Sequence, residues 1–425
     1  MLKGQFPVEK FASLRTPFYY YDLPLLRRTL DKIRECIEPY PQFHVHYAVK
    51  ANFNGKILQE ISRCGFGADC VSGGEIRAAL QNGFAPESIV YAGVGKSDEE
   101  ILLALDAGIA RFNVESAAEL EVINELALSR GVVAPVSLRV NPDIGAHTHA
   151  NITTGLAENK FGINYEQLPG VIELADSLPG VKYKGLHFHI GSQILEMDDF
   201  VALCNRINVL AEQILRQRRG RLVPAASSAA AVGYSSSAVG AAGVAGSGVA
   251  AGVAGAAASV LGDINVGGGL GINYYHPNHL DVAEFSQYFE TFARHLKLPE
   301  GTPVHFELGR SVVAPCGSLI SRVLYIKEGT TRRFAIIDAS MTELIRPALY
   351  KAYHRVENIS SYEPEEVYDV VGPVCESSDV FAKGVSIDKC HRGDFIAIRS
   401  AGAYGESMSS QYNCRPLPGC FFKED

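Results

Sequence analysis

The chain has 425 residues, 47% of them hydrophobic and 20% charged, the balance of a soluble protein with room for one large domain and a smaller one. A formal net charge of −8 argues against nucleic acid or an anionic membrane as the main partner. Nine scattered cysteines with no Cys-x-x-Cys pair suit a reduced, cytoplasmic protein without disulfides or structural zinc, and Met1–Pro7 carries no apolar core of signal-peptide length.

A short strand, Phe18–Asp22, precedes a helix from about Leu23 to Glu38, and then an alternation begins. Strands are expected at 44–49, 67–72, 88–92, 111–114, 136–140, 185–190, 263–266 and 304–307, with helices over roughly 54–64, 74–83, 97–107 and 116–130 between the first five. Eight strands alternating with helices match a (β/α)8 TIM-type barrel better than an open sheet, giving a barrel domain over 24–310. Beyond Arg310 short β-rich runs follow at 319–326, 333–338, 366–371 and 394–399. They read as a second, all-β domain of sandwich or Greek-key type, made of 1–23 and 311–425. One run stands apart. Between Arg221 and Asp263 there is no charge, and the composition is almost wholly Ala, Gly, Ser and Val. The stretch 222–262 reads as a flexible low-complexity insertion on the barrel surface, since such small, Gly-broken residues make a poor membrane span.

Lys50 ends the first barrel strand, after Val45, Tyr47 and Val49 alternate with His44, His46 and Ala48. A lysine there is either a solvated cation or an amine nucleophile that takes a carbonyl cofactor. Barrels of this class build their sites at the C-terminal strand ends and often hold phosphate in the loops after strands seven and eight. Here those loops are Gly267-Gly268-Gly269-Leu270-Gly271 and Glu307-Leu308-Gly309-Arg310. Glycines let backbone N–H groups close around phosphate oxygens, and an arginine adds a two-pronged cation. Glu307 suits pyridoxal phosphate, whose ring nitrogen works best when a carboxylate keeps it protonated. A salt bridge to Arg310 is its plainer alternative. His187 and His189 share one face of the sixth strand and open a different reading, a metal-dependent hydrolase, with Asp69, His147 and His149 as further ligands. That reading gives Lys50 and the two loops no task. A cofactor reading uses one histidine as a stacking ring and leaves the other hydrogen-bonded in the core.

Tyr47-Ala48-Val49-Lys50-Ala51-Asn52, His187-Phe188-His189-Ile190-Gly191-Ser192, Gly267-Gly268-Gly269, Glu307-Leu308-Gly309-Arg310 and Cys375-Glu376-Ser377-Ser378-Asp379 stand in the order seen in the alanine-racemase-like, fold type III pyridoxal-phosphate decarboxylases. The chain resembles that family over nearly its whole length apart from the Ala/Gly-rich run, and most of all its members that act on meso-diaminopimelate. The resemblance implies pyridoxal 5'-phosphate as cofactor, no metal, and decarboxylation of meso-diaminopimelate to L-lysine. A related basic amino acid or carboxynorspermidine is the alternative substrate, and a non-catalytic relative the alternative role. By the same resemblance Lys50 is the Schiff-base lysine, His189 stacks on the ring, and Glu307 meets the ring nitrogen. Asp69, Ser192, Gly269, Leu308, Gly309 and Arg310 belong to the cofactor contacts. Cys375 is the proton donor, and Tyr404 touches cofactor and substrate. Diaminopimelate carries an ammonium and a carboxylate at its far end, so its site needs cations as well as an acid. Arg346, with Arg310 and Tyr350, is expected to take that carboxylate and Glu376 the ammonium. A buried arginine facing an ornithine-like tail would stay unpaired, at a considerable cost. The resemblance also implies a homodimer with shared active sites, Cys375 and Glu376 reaching in from the partner subunit.

Overall fold

The computed structural model describes residues 6–142, 160–222, 260–277 and 282–424. Most of the Ala/Gly-rich run, with His147 and His149, lies outside the described residues. Eight parallel strands close a barrel: β2 (Phe43–Ala48), β3 (Gly67–Cys70), β4 (Ile89–Tyr91), β5 (Arg111–Val114), β6 (Ala134–Asn141), β8 (Val181–His187), β9 (Asp263–Asn265) and β10 (Val304–Leu308). A two-residue strand, β7 (Ile163–Asn164), lies beside the end of β6. The ring closes where Val304 pairs with Phe43 and Leu308 with Tyr47. β9 pairs with β8 on one side and β10 on the other, so the barrel wall is continuous directly after the Ala/Gly-rich run.

The helices between strands follow from local chemistry. Ser72, Ser97 and Ser116 each accept the backbone N–H three residues on, capping the helices Gly73–Gln81, Asp98–Ala107 and Ala117–Arg130. In Leu23–Ile37 the apolar face Leu23, Leu26, Leu30 and Ile33 is buried, and the Asp22 carboxylate caps its first turn. The sixth barrel strand begins earlier than its pattern suggests, at Val181, and ends at His187, because the chain must leave the wall for His189 to enter the cavity.

The second sheet is mixed. It contains β11 (Gly317–Glu328), β12 (Arg333–Ile337), β13 (Val356–Asn358), β14 (Glu365–Val371), β15 (Val380–Asp388) and β16 (Phe395–Ile398). The N-terminal strand β1 (Phe18–Asp22) joins it antiparallel to β11 and parallel to β17 (Gly419–Lys423). The two sheets are stitched at Asn52, whose amide donates to the Tyr21 hydroxyl at 2.8 Å and to the Gly402 carbonyl at 2.9 Å.

The barrel floor is polar. His46 Nδ1 lies 3.1 Å from the Ser88 carbonyl, its Nε2 is 2.9 Å from His305 Nδ1, and His305 Nε2 is 3.3 Å from the Arg111 guanidinium. One set of neutral tautomers satisfies all three contacts: each imidazole donates through Nδ1 and accepts at Nε2. Burial, then the neighbouring His305 and Arg111, push His46 down to about 3, and burial with Arg111 outweighs the pull of Asp263 to push His305 down to about 4. Protons therefore bind the unfolded chain more tightly. The stability these histidines contribute is complete above their ordinary value near 6.5 and is lost as pH falls toward 4. Thermal midpoints should drop over that window as the unfolding free energy falls by roughly 1.4 kcal/mol per pH unit per histidine. His305→Gln should flatten the profile; parallel profiles for the two proteins would contradict the assignment.

Candidate active site

A cavity of about 790 Å3 opens at the C-terminal ends of the barrel strands, with a narrower recess of about 70 Å3 at its side. Lys50, Asp69, His189, Ser192, Glu307, Arg310 and Tyr404 line both. Arg346 and Tyr350 line the larger one, and Gly269, Leu308 and Gly309 the recess.

Lys50 sits in a turn, Val49–Ala51, that ends β2 and tips its side chain into the cavity. Its Nζ is 3.6 Å from a carboxylate oxygen of the fully buried Asp69. Burial opposes the ammonium, but Asp69, then Tyr404 and Glu307, hold its pKa above the ordinary lysine value. Burial and the Glu307 charge push Asp69 the other way, toward its neutral form, against the pull of Lys50.

Glu307 is held from three strands. Asn265 of β9 donates to its Oε1 at 2.8 Å, Asn113 of β5 to the same oxygen at 3.3 Å, and His187 of β8 approaches Oε2 at 3.1 Å. Burial alone would raise its pKa, yet His187, Lys50 and His189 bring it below the carboxylate range, so it stays an anion inside the barrel. His189 is the converse. Burial, then the charges of Lys50 and Arg139, hold its imidazole far below the ordinary value. Its Nδ1 accepts the Gly268 N–H at 3.2 Å, which leaves the ring proton on Nε2.

The glycine loop must be glycine. A Cβ on Gly268 would stand 1.9 Å from the Glu307 carbonyl oxygen, and one on Gly267, whose φ is +73°, 2.2 Å from that of Phe188. Beside it Arg310 donates to Ser192 Oγ at 3.0 Å and to the Tyr274 hydroxyl at 2.9 Å, and its guanidinium lies over the Tyr404 ring. Arg310 Nε is buried with no hydrogen-bond partner. Arg346 donates to His354 and again to the Tyr274 hydroxyl, both at 3.2 Å. Among the described residues neither arginine has a carboxylate partner, so the expected Glu307–Arg310 alternative does not form. Tyr404 adopts a positive φ of +56° and is pinned by its N–H to the Ala51 carbonyl at 2.8 Å, next to Lys50.

Cys375 and Glu376 line neither cavity. Both are exposed, Cys375 tied through its backbone to Asn413 and Glu376 bonded to the Tyr412 hydroxyl at 2.8 Å. His187 turns to Glu307 and His189 to the glycine loop, and among the described residues no group of three His, Cys, Asp or Glu could hold a metal. Asn113, Asn265, Tyr274 and His354 are not among the residues expected from the sequence. A usable signal existed for the first two: each is an uncharged polar residue flanked by apolar ones, Phe112 and Val114 around Asn113 and Ile264 and Val266 around Asn265, and such a buried amide needs a partner.

A lysine amine in the cavity, a carboxylate held ionised, a neutral imidazole face and a glycine cradle beside a guanidinium that has hydroxyl but no carboxylate partners suit a planar aldehyde with a basic ring nitrogen and a phosphate. That donor set fits pyridoxal phosphate and defines a barrel enzyme of the pyridoxal-phosphate class. Comparison with known proteins narrows this. Residues 26–218 match the pyridoxal-binding domain of the pyridoxal-dependent decarboxylases. Diaminopimelate decarboxylase of Bacteroides thetaiotaomicron is 55% identical over 98% of both chains, and that of Zymomonas mobilis 38% identical over 96% of this chain and 87% of its own. The crystal structure of the Helicobacter pylori diaminopimelate decarboxylase complexed with L-lysine superposes with a TM-score of 0.81 at 35% identity, covering 98% of this chain and 94% of that one. The chain belongs to the diaminopimelate decarboxylase family. No helix among the described residues is long and apolar enough to cross a membrane.

Gly268→Ala should drive the loop off the Glu307 carbonyl and lose cofactor binding. Visible absorbance of the purified protein after equilibration with pyridoxal phosphate checks this; full occupancy would show that the loop does not need the close approach.

Proposed function

We propose that this chain decarboxylates meso-2,6-diaminopimelate to L-lysine and carbon dioxide, with pyridoxal phosphate as cofactor. The observation that carries the substrate is the pair of buried guanidiniums, Arg310 and Arg346, in the same cavity as Lys50 and without a carboxylate partner among the described residues. A phosphate and a substrate carboxylate account for two such cations. Ornithine, lacking a distal carboxylate, would leave Arg346 facing no anion in a buried place, which is costly.

When bound, pyridoxal phosphate supplies the electron sink for the pair released as the Cα–carboxylate bond breaks. The chain's own groups divide the remaining work. Lys50 Nζ provides the amine that anchors the cofactor, with Asp69 beside it. Glu307, kept anionic by Asn265, Asn113 and His187, holds a proton at the ring nitrogen. His189 offers a flat, neutral face. The glycine loop, Ser192 and Arg310 take phosphate, and Arg346 with Tyr350 takes the distal carboxylate. Tyr404, which lines the cavity and its recess and packs on Arg310, touches both.

The proton returned to Cα comes from Cys375, and Glu376 binds the distal ammonium. Both are exposed on their own protomer and line no cavity there, which supports a homodimer in which each subunit completes the other's site.

Lys50→Ala should abolish carbon dioxide release. Arg346→Ala should raise KM for meso-diaminopimelate roughly a hundredfold, the size of losing one side of a buried charge pair; an unchanged KM would remove the carboxylate role. Lys50→Ala and Cys375→Ala proteins, each inactive alone, should regain up to about a quarter of wild-type activity when mixed and allowed to exchange subunits, because only mixed dimers of the symmetric pair carry one intact site. No recovery despite exchange would argue against shared sites.

A further inference from the structure

The two guanidiniums at the cavity wall converge on one neutral atom. The Tyr274 hydroxyl accepts from Arg310 at 2.9 Å and from Arg346 at 3.2 Å. A phenol oxygen has two acceptor positions and one hydrogen. With both acceptor positions taken by cationic donors, its hydrogen is free to turn toward the cavity that Tyr274 lines. We infer that Tyr274 is a positioning residue for the distal carboxylate: it holds Arg310 and Arg346 side by side and adds its own O–H as a third donor.

The backbone is built to put the hydroxyl there. The chain leaving the glycine loop is clasped to the segment after Ser192. Gly269 accepts the Ile194 N–H, and Gly271 N–H returns to Ile194, both at 2.9 Å. The Gln193 amide then grips Ile272 twice, donating to its carbonyl at 2.7 Å and accepting its N–H at 3.2 Å. Two residues later the Tyr274 ring packs edge-on against His354, 5.0 Å between centroids, and His354 in turn accepts from Arg346 Nε. Tyr274 is buried, so its position is fixed rather than adaptive.

Arg310 and Arg346 repel each other, and both sit in a low-dielectric wall where that repulsion is weakly screened. A neutral shared acceptor lets them stand together without neutralising them. A carboxylate in place of Tyr274 would bring them together too, but would occupy them. The phenol gathers the cations and leaves their charge for ligand, so it lies where the phosphate and distal-carboxylate positions meet. Losing it should weaken ligands that carry that carboxylate and spare those that do not.

This rests on the decarboxylase reading above, and the experiment separates the two. Wild-type protein should release carbon dioxide from meso-diaminopimelate and be competitively inhibited by L-lysine; if it does neither, the decarboxylase reading falls. With wild-type activity in hand, Tyr274→Phe keeps the ring against His354 and removes only the hydroxyl. KM for meso-diaminopimelate and the inhibition constant of L-lysine should each rise about tenfold, as expected for losing hydrogen bonds to charged groups. The turnover number should stay within about threefold and the inhibition constant of cadaverine, which lacks a carboxylate, should not move. Combining Tyr274→Phe with Arg346→Lys should give less than the sum of the single effects, as for partners in one network. Unchanged constants for L-lysine, or equal shifts for L-lysine and cadaverine, would overturn the inference.

Discussion

Keeping Glu307 ionised inside the barrel is the requirement on which the site rests. A buried carboxylate ordinarily takes up a proton, since desolvation penalises its charge by several kcal/mol. Here three strands that are distant in sequence supply donors to it: β5 through Asn113, β8 through His187 and β9 through Asn265. They can do so only because the barrel closes. β9 is three residues long, and its pairing to both β8 and β10 places Asn265 against Glu307. The same strand delivers the glycine loop, whose close approach to the Glu307 carbonyl forbids a side chain. Closure, the carboxylate's charge and the phosphate cradle are thus one structural fact.

The cavity is electrically divided. Toward Lys50 lie the carboxylates of Asp69 and Glu307. Elsewhere on its wall stand Arg310 and Arg346, whose partners are hydroxyls and an imidazole. A ligand with a protonated nitrogen at one end and anions at the other matches the field before any contact is optimised. Preorganised dipoles and charges of this kind act without rearrangement at the moment of reaction.

Much of this could be read from the sequence, for reasons that differ by element. Period-two runs locate the strands, their alternation with helices gives the barrel, and the Gly267–Gly269 and Glu307–Arg310 loops follow from knowing where a barrel keeps its site. Lys50 gains meaning only from that placement. Less visible were interactions whose partners are far apart in the chain. Nothing near Asn113 says that it meets Glu307, 194 residues on. Tyr274 reads as one aromatic among several in Asn273-Tyr274-Tyr275, and only the fold brings two arginines to it. The strands β13 and β15 escape notice because Val356–Asn358 is too brief and Lys383-Gly384 interrupts the alternation in Val380–Asp388.

The stitch at Asn52 alters what the second sheet is for. Asn52 is two residues past Lys50, and its amide is held by Tyr21 from the N-terminal strand and by Gly402 from the loop after β16. Its own carbonyl accepts the Tyr47 hydroxyl at 2.9 Å. The nucleophile's turn is therefore a knot tied by both ends of the chain, and the barrel taken by itself is not a minimal enzyme. A ribosome that has finished the barrel has not yet made the site. Gly402 lies 350 residues beyond Asn52, so this clasp on the nucleophile's turn forms only after the barrel and the strands through β16 have been made.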